Sequence, residues 1–260
     1  MAKQPLSIVK IGGNIINNSE LLSPFLKDFS ELEGLKILVH GGGKKATALA
    51  NSIGLEPKIL HGRRITDKAN LEIVTMVYAG LLNKNITAAL QQNNCNALGL
   101  SGADANCILA HKRIVKDVDY GFAGDIDAVN SNNINVFLQN GMTPVFCAIT
   151  HDKNGQLLNT NADTIASEIS IAMANQYNVS LIYTFEMKGV LRSIEDKNSV
   201  IENIDSQKYE TLKSEGIIAD GMLPKMENCF NALEKGVAKV VIGNPTIIRD
   251  KNQSFTTLIL

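Results

Sequence analysis

KILVHGGGKKATALA, residues 36–50, sets an apolar run directly against three glycines and then a helical pattern. A buried strand, a glycine turn and a helix start, in that order, form one unit of a parallel sheet. The amides of Gly41, Gly42 and Gly43 and the helix start would converge on one point, a place suited to an anion. The same run would serve equally well as a tight strand-to-helix corner, so the rest of the chain has to decide between the two.

Outward from this stretch the alternation repeats. Leu6 to Ile11 reads as a strand that ends in Gly12-Gly13, and apolar spacing from Ser19 to Leu32 reads as a helix. After HGRRIT, Thr66 is placed as N-cap of a long helix to about Asn94, followed by a strand from Ala97 to Leu100. Ala105 to Val129 changes to short strand-like pieces broken by Gly121 and Gly124, which read as hairpins laid over a site. Beyond them come a helix over 134–140, a strand over 144–149, a helix from Ala162, a strand over 180–185, helices from Ser206 and Leu223, and a strand over 238–242. Thr256 to Leu260 reads as a final edge strand. Strands spaced by helix-length segments predict an α/β fold, a mainly parallel central sheet in an αβα sandwich. No linker or repeat divides the 260 residues, and the least interrupted cut makes two lobes, 1–176 and 177–260.

Composition narrows the function classes. Apolar residues at 45% and charged residues at 20% suit a globular core, and no apolar run approaches the roughly 18 residues of a membrane span. The few apolar residues before Lys10 are too short for a signal peptide, which predicts a cytoplasmic location. A net charge of −1 gives no overall attraction for nucleic acid or an anionic membrane, so small molecules are the expected partners. Cys95, Cys107, Cys147 and Cys229 lack C-x-x-C spacing and read as reduced core thiols, and the four scattered histidines read as structural or surface residues rather than metal ligands.

Familiar catalytic signatures are absent. There is no G-x-x-x-x-G-K-[ST], no G-x-G-x-x-G and no protein-kinase H-R-D with D-F-G. HGGG also occurs in hydrolase oxyanion loops, but the nearest nucleophile elbow, Gly99 to Ala103, fails at its fifth position, and His111 and His151 come too early for a late triad histidine.

Taken together, IVKIGGN with Lys10, Gly12 and Gly13, the ILVHGGG turn, GRRIT at 62–66, GLSGAD at 99–104, NTNAD at 159–163 and DGMLPK at 220–225 resemble the amino-acid kinase family, nearly end to end and in order. Within it, the set is most like that of members that phosphorylate N-acetyl-L-glutamate in arginine biosynthesis. The chemistry is compatible. Phosphoryl transfer asks for positioning and positive charge, and a carboxylate acceptor is already ionised at neutral pH, so no general base is required.

The resemblance implies ATP and Mg2+ as reactants and an N-acylated glutamate as the small-molecule substrate. It makes Lys10 and Lys225 the charges flanking the phosphoryl group and Asp163 the carboxylate that organises them. Gly42 and Gly43 would donate amides, Arg64 would clamp a substrate carboxylate, and Asn159 would bond the amino-acid moiety. Its neighbour Arg63 is expected to face solvent, and GFAGDI to close over the acyl end. Gly12, Gly13, Glu186, Gly189 and Gly221 would meet the nucleotide, although Phe185-Glu186-Met187-Lys188-Gly189 departs from the family's usual Thr/Ser-Asp-Val-x-Gly. With few residues before Lys10, the resemblance implies an arginine-insensitive homodimer. A succinyl group in place of acetyl, another acceptor such as carbamate, aspartate, glutamate or UMP, and a non-catalytic sensor on the same scaffold stay open.

Overall fold

A computed structural model describes residues 3–60, 62–219, 222–250 and 252–260. Strand β1 (Pro5–Ile11) runs into Gly12, and the one-turn helix α1 (Gly13–Ile16) follows. Asn18 caps α2 (Ser19–Glu31) by accepting from the Glu20 amide at 2.9 Å, and Phe25, Leu26 and Phe29 form its buried face. Strand β2 (Leu35–His40), buried from Lys36 onward, passes through Gly41-Gly42 into α3 (Gly43–Ser52). A small hairpin, β3 (Ile59–Leu60) and β4 (Arg63–Arg64), then leads to one long helix in three parts: α4 (Lys68–Thr75), a π-helical segment Met76–Leu82, and α5 (Asn83–Gln92).

Asp67, not Thr66, caps this helix, accepting from the Asn70 amide at 2.8 Å. The Thr66 hydroxyl is instead taken up by Arg64 O and Asn159, as the site requires. By length and composition Lys68–Gln92 could cross a membrane. Its apolar stripe, Leu71, Ile73, Val74, Val77, Leu82, Ile86 and Leu90, is buried in the protein core.

The remaining elements are β5 (Ala97–Leu100), β6 (Ile108–Lys112), β7 (Gly124–Val129), α6 (Ser131–Gln139), β8 (Thr143–Cys147), β9 (Ile149–His151), β10 (Leu157–Asn159), α7 (Ala162–Met173), β11 (Asn178–Thr184), β12 (Asn203–Ile204), α8 (Ser206–Ser214), α9 (Leu223–Glu234), β13 (Lys239–Gly243) and β14 (Thr256–Leu258). Eight strands form one sheet in the order β12-β14-β13-β11-β1-β2-β8-β5, parallel except between β13 and β14. Consecutive residues Ile8 and Val9 point to opposite faces and are both fully buried, so the middle of the sheet is covered on both sides. This is the expected α/β sandwich. Strand β14 is not the edge, because the two-residue β12 pairs outside it, an element too short for periodicity to reveal. The hairpin region expected over 105–129 becomes a second sheet, β10-β9-β6-β7, above the ends of the first.

Candidate active site

The carboxyl ends of β1 and β2 lie side by side, with Ile11 paired to His40, so the glycine turns that follow them are neighbours. Ligands in open parallel sheets gather at such strand ends. Gly13 and Gly43 begin helices there, and the Lys44 ammonium donates to Asn14 Oδ1, tying the two turns together. His40 shapes the second turn from below: it is fully buried, its Nδ1 lies 2.8 Å from Gly41 O, and its Nε2 lies 3.1 Å from the Asn83 amide nitrogen. Burial pushes its pKa down to about 4, so the ring is neutral at pH 7, donating at Nδ1 and accepting at Nε2.

A cavity of about 250 Å³ opens over these turns, and Lys10, Gly13, Gly41, Gly42, Gly43, Arg64 and Asn159 are on its wall. At its edge the Lys10 ammonium lies 2.8 Å from Asp163 Oδ1, and the Lys225 ammonium lies 3.9 Å from Asp163 Oδ2. Asp163 stands in the first turn of α7, where Asn161 caps the helix by accepting from the Asp163 and Thr164 amides. Burial opposes the charge on Asp163, but the two ammonium groups outweigh it and hold the carboxyl below the ordinary carboxylate range. Lys225 is a cation in the first turn of α9, where the helix dipole disfavours it. Asp163 and the faces of Phe185 and Tyr183, 5.3 and 5.9 Å away, hold it there.

Arg64 is 92% buried, with NH2 donating to Gly43 O at 3.1 Å and to the Thr47 hydroxyl at 2.6 Å, and NH1 donating to Asn70 Oδ1 at 3.3 Å. Its Nε is buried without a partner among the described residues, a donor that a ligand carboxylate would satisfy. Asn159 donates to the Thr66 hydroxyl at 3.0 Å. Between them the GFAG segment forms a strap: Phe122 N donates to Thr66 O, and Asn159 N donates to Phe122 O. Gly121 has φ +65°, and a Cβ there would come within 2.2 Å of Thr66 O, so the strap requires glycine at that corner.

Two cavity-wall residues, Tyr78 and Arg113, lie outside the motifs, and a third, Arg63, lies inside one but was expected to face solvent. Tyr78 is set against Gly42 by the π-helical segment; a Cβ on Gly42 would fall 2.7 Å from its ring and 2.5 Å from Leu82 Cδ1. Arg63 is half-buried and lines the cavity rather than facing solvent. Arg113, just beyond β6, joins it from the strap side.

The amino acid kinase family model matches residues 5–244 of the chain. The chain belongs to the amino acid kinase family. It is 55% identical over 240 residues to an acetylglutamate kinase of Cytophaga hutchinsonii, covering 92% of this chain and 91% of that one. It is 51% identical to an acetylglutamate kinase of Phocaeicola vulgatus, covering 92% and 93%. Among solved structures it superimposes on smu.665 of Streptococcus mutans UA159 with a TM-score of 0.76 at 26% identity over 98% of both chains.

In this amino acid kinase the nucleotide residues expected from sequence are less gathered. Gly12 precedes α1 at the end of β1, and Glu186 is exposed just beyond β11. Gly189 is enclosed by Thr256 and Val200, with a Cβ position 2.6 Å from the Thr256 hydroxyl, so internal packing accounts for this glycine. Gly221 lies outside the described residues.

Proposed function

We propose that this chain transfers the γ-phosphoryl group of ATP to the γ-carboxylate of N-acetyl-L-glutamate, giving an acyl phosphate and ADP. The observation that carries the reading is the Lys10–Asp163–Lys225 arrangement at the edge of a cavity walled by helix-start glycines and a buried Arg64. A γ-carboxylate oxygen forms the new bond to phosphorus as the bond to the β,γ-bridging oxygen breaks. Because the acceptor is ionised, no proton has to be removed. Lys10 neutralises charge on the equatorial oxygens, Lys225 that on departing ADP, and Asp163 positions both ammonium groups.

The Gly42 and Gly43 amides would hold the reacting end, Arg64 Nε the α-carboxylate, and Asn159 the amide. The acyl group on nitrogen blocks cyclisation of the product. Residues 1–176 would thus form the amino-acid lobe. Residues 177–260, with Glu186 and Gly221, would form the nucleotide lobe. Among the described residues no three metal-ligating side chains converge. The donor chemistry therefore fits a Mg2+ that arrives with ATP and is held by phosphate oxygens and water. A cytoplasmic homodimer completes the reading; Met76 and Leu81, exposed on the long helix, suit a covered face.

Incubation of the protein with MgATP and N-acetyl-L-glutamate, with acyl phosphate trapped as hydroxamate, should give product, and unacylated glutamate much less. Absence of hydroxamate from any N-acylated glutamate would sink the proposal.

A further inference from the structure

Lys225 carries its charge where its surroundings oppose it. It stands in the first turn of α9, at the positive end of the helix dipole, and its side chain is only 24% exposed. Asp163, its one carboxylate neighbour within ion-pair distance among the described residues, is 3.9 Å away and lies closer to Lys10, at 2.8 Å. The longer of these contacts is no hydrogen bond. The remaining support is aromatic. Tyr183 and Phe185 are two positions apart on β11 and its continuation, where Phe185 N still donates to Gly243 O. Both rings therefore lie on one face of the sheet, and Thr184 between them turns to the other. Their centroids are 5.9 and 5.3 Å from the Lys225 ammonium. Tyr183 is fully buried, and its hydroxyl donates to Asp163 O at 3.1 Å, which ties this platform to the first turn of α7.

Phe185 opens the stretch in which this chain departs from the family's usual Thr/Ser-Asp-Val-x-Gly. A hydroxyl at that position would accept from one of the three ammonium donors. A ring face offsets the charge through its quadrupole and offers no lone pair. We infer that Phe185 is a positioning residue for phosphoryl transfer: its ring, with that of Tyr183, seats the Lys225 ammonium and leaves the N–H donors to the oxygens of departing ADP. Charge on those oxygens grows only as the bond to phosphorus breaks, so the seat acts on kcat and spares KM.

The inference rests on the phosphotransfer reading, and the test separates them. Phe185 is replaced in the full chain by phenylalanine bearing successively more ring fluorines, which nearly preserves the shape of the ring while draining the negative charge from its face. Hydroxamate trapping with MgATP and an N-acylated glutamate that the unaltered protein turns over gives kcat and KM for each form. The kcat should fall stepwise along the series, to about 3- to 30-fold at its end, the range of a cation–π contact from partly to fully desolvated. Both KM values should change by less than about twofold. Phe185→Leu should lose as much kcat as the last member of the series, and Phe185→Trp should keep most of it. A kcat that stays level across the series, or a loss carried by KM, makes the ring a packing group and overturns the inference while the kinase reading stands. Absence of product from the unaltered protein with every N-acylated glutamate overturns both.

Discussion

Lys10, Asp163 and Lys225 form a compact charged group. Each is within reach of the next, and the carboxylate keeps two like charges together at one cavity edge. Replacing Lys10 by Ala should cost about 10²-fold or more in turnover, the scale of one lost transition-state donor. Steady-state kinetics with a far-ultraviolet dichroism control checks it, and full turnover with an unaltered fold would remove the lysine from its role. His40 makes a different prediction. Its ordinary pKa of 6.5 falls to about 4 in the folded protein, so between those values the unfolded chain binds more protons. Stability is therefore complete above 6.5 and falls as pH drops toward 4, by a total on the order of 3 kcal/mol. Urea titrations from pH 7.5 to 5 should show this slope, and His40→Gln should flatten it. Lys10, Asp163 and Arg64 were legible only through the resemblance, because each sits inside a matched motif; taken singly, each would read as a solvated charge. The places of Arg63 and Arg113 on the cavity wall were not legible, since the hairpin and the second sheet bring them there, which no local spacing reports.

At the scale of elements, the site is made by starts and interruptions. Helix α7 begins at Asn161, whose side chain takes two amides and thereby aims Asp163 at the lysines. Asn161→Ala should lower stability by about 1 kcal/mol. It should also lower kcat more than Asp205→Ala, which removes the cap of α8, where Asp205 accepts from the Lys208 amide; thermal melts and kinetics on both variants would settle the comparison. The long helix was expected whole from its apolar spacing, but its π-helical middle was not, because i→i+5 bonding leaves no periodic trace over seven residues. That segment brings Tyr78 and Leu82 against Gly42. Gly42→Ala should destabilise by about 1–3 kcal/mol through overpacking and raise KM for the amino acid as Tyr78 is pushed from the wall. An unchanged melting temperature would mean that the ring yields freely. The neighbouring Thr66 and Asp67 are both competent caps, and the tertiary demand of Asn159 for the threonine hydroxyl decided between them.

Across the whole molecule, the longer strands were legible, whereas β10, the two-residue β12, the break of the expected 144–149 strand into β8 and β9, and the strand order were not. One sheet runs through both proposed lobes, and its centre is the parallel pairing of β1 with β11, in which Leu6 meets Val179 and Ile11 meets Thr184. Thr184 also donates to Lys10 O at 3.1 Å, joining the two halves directly beneath the proposed phosphoryl site. The two proposed lobes thus share one sheet and one folding unit. Residues 1–176 expressed alone should fail to give a cooperative thermal transition, and mixing with 177–260 should restore it. A cooperative melt of the first fragment alone would refute that. The pairing has a consequence for synthesis. When β2 has left the ribosome, β1 holds β2 on one flank and an open apolar edge on the other, and residues 41–177 must follow before β11 emerges to close it. During that interval the strand that carries Lys10 presents an unpaired apolar edge, so expression yield should depend on translation speed and chaperone supply more than on equilibrium stability.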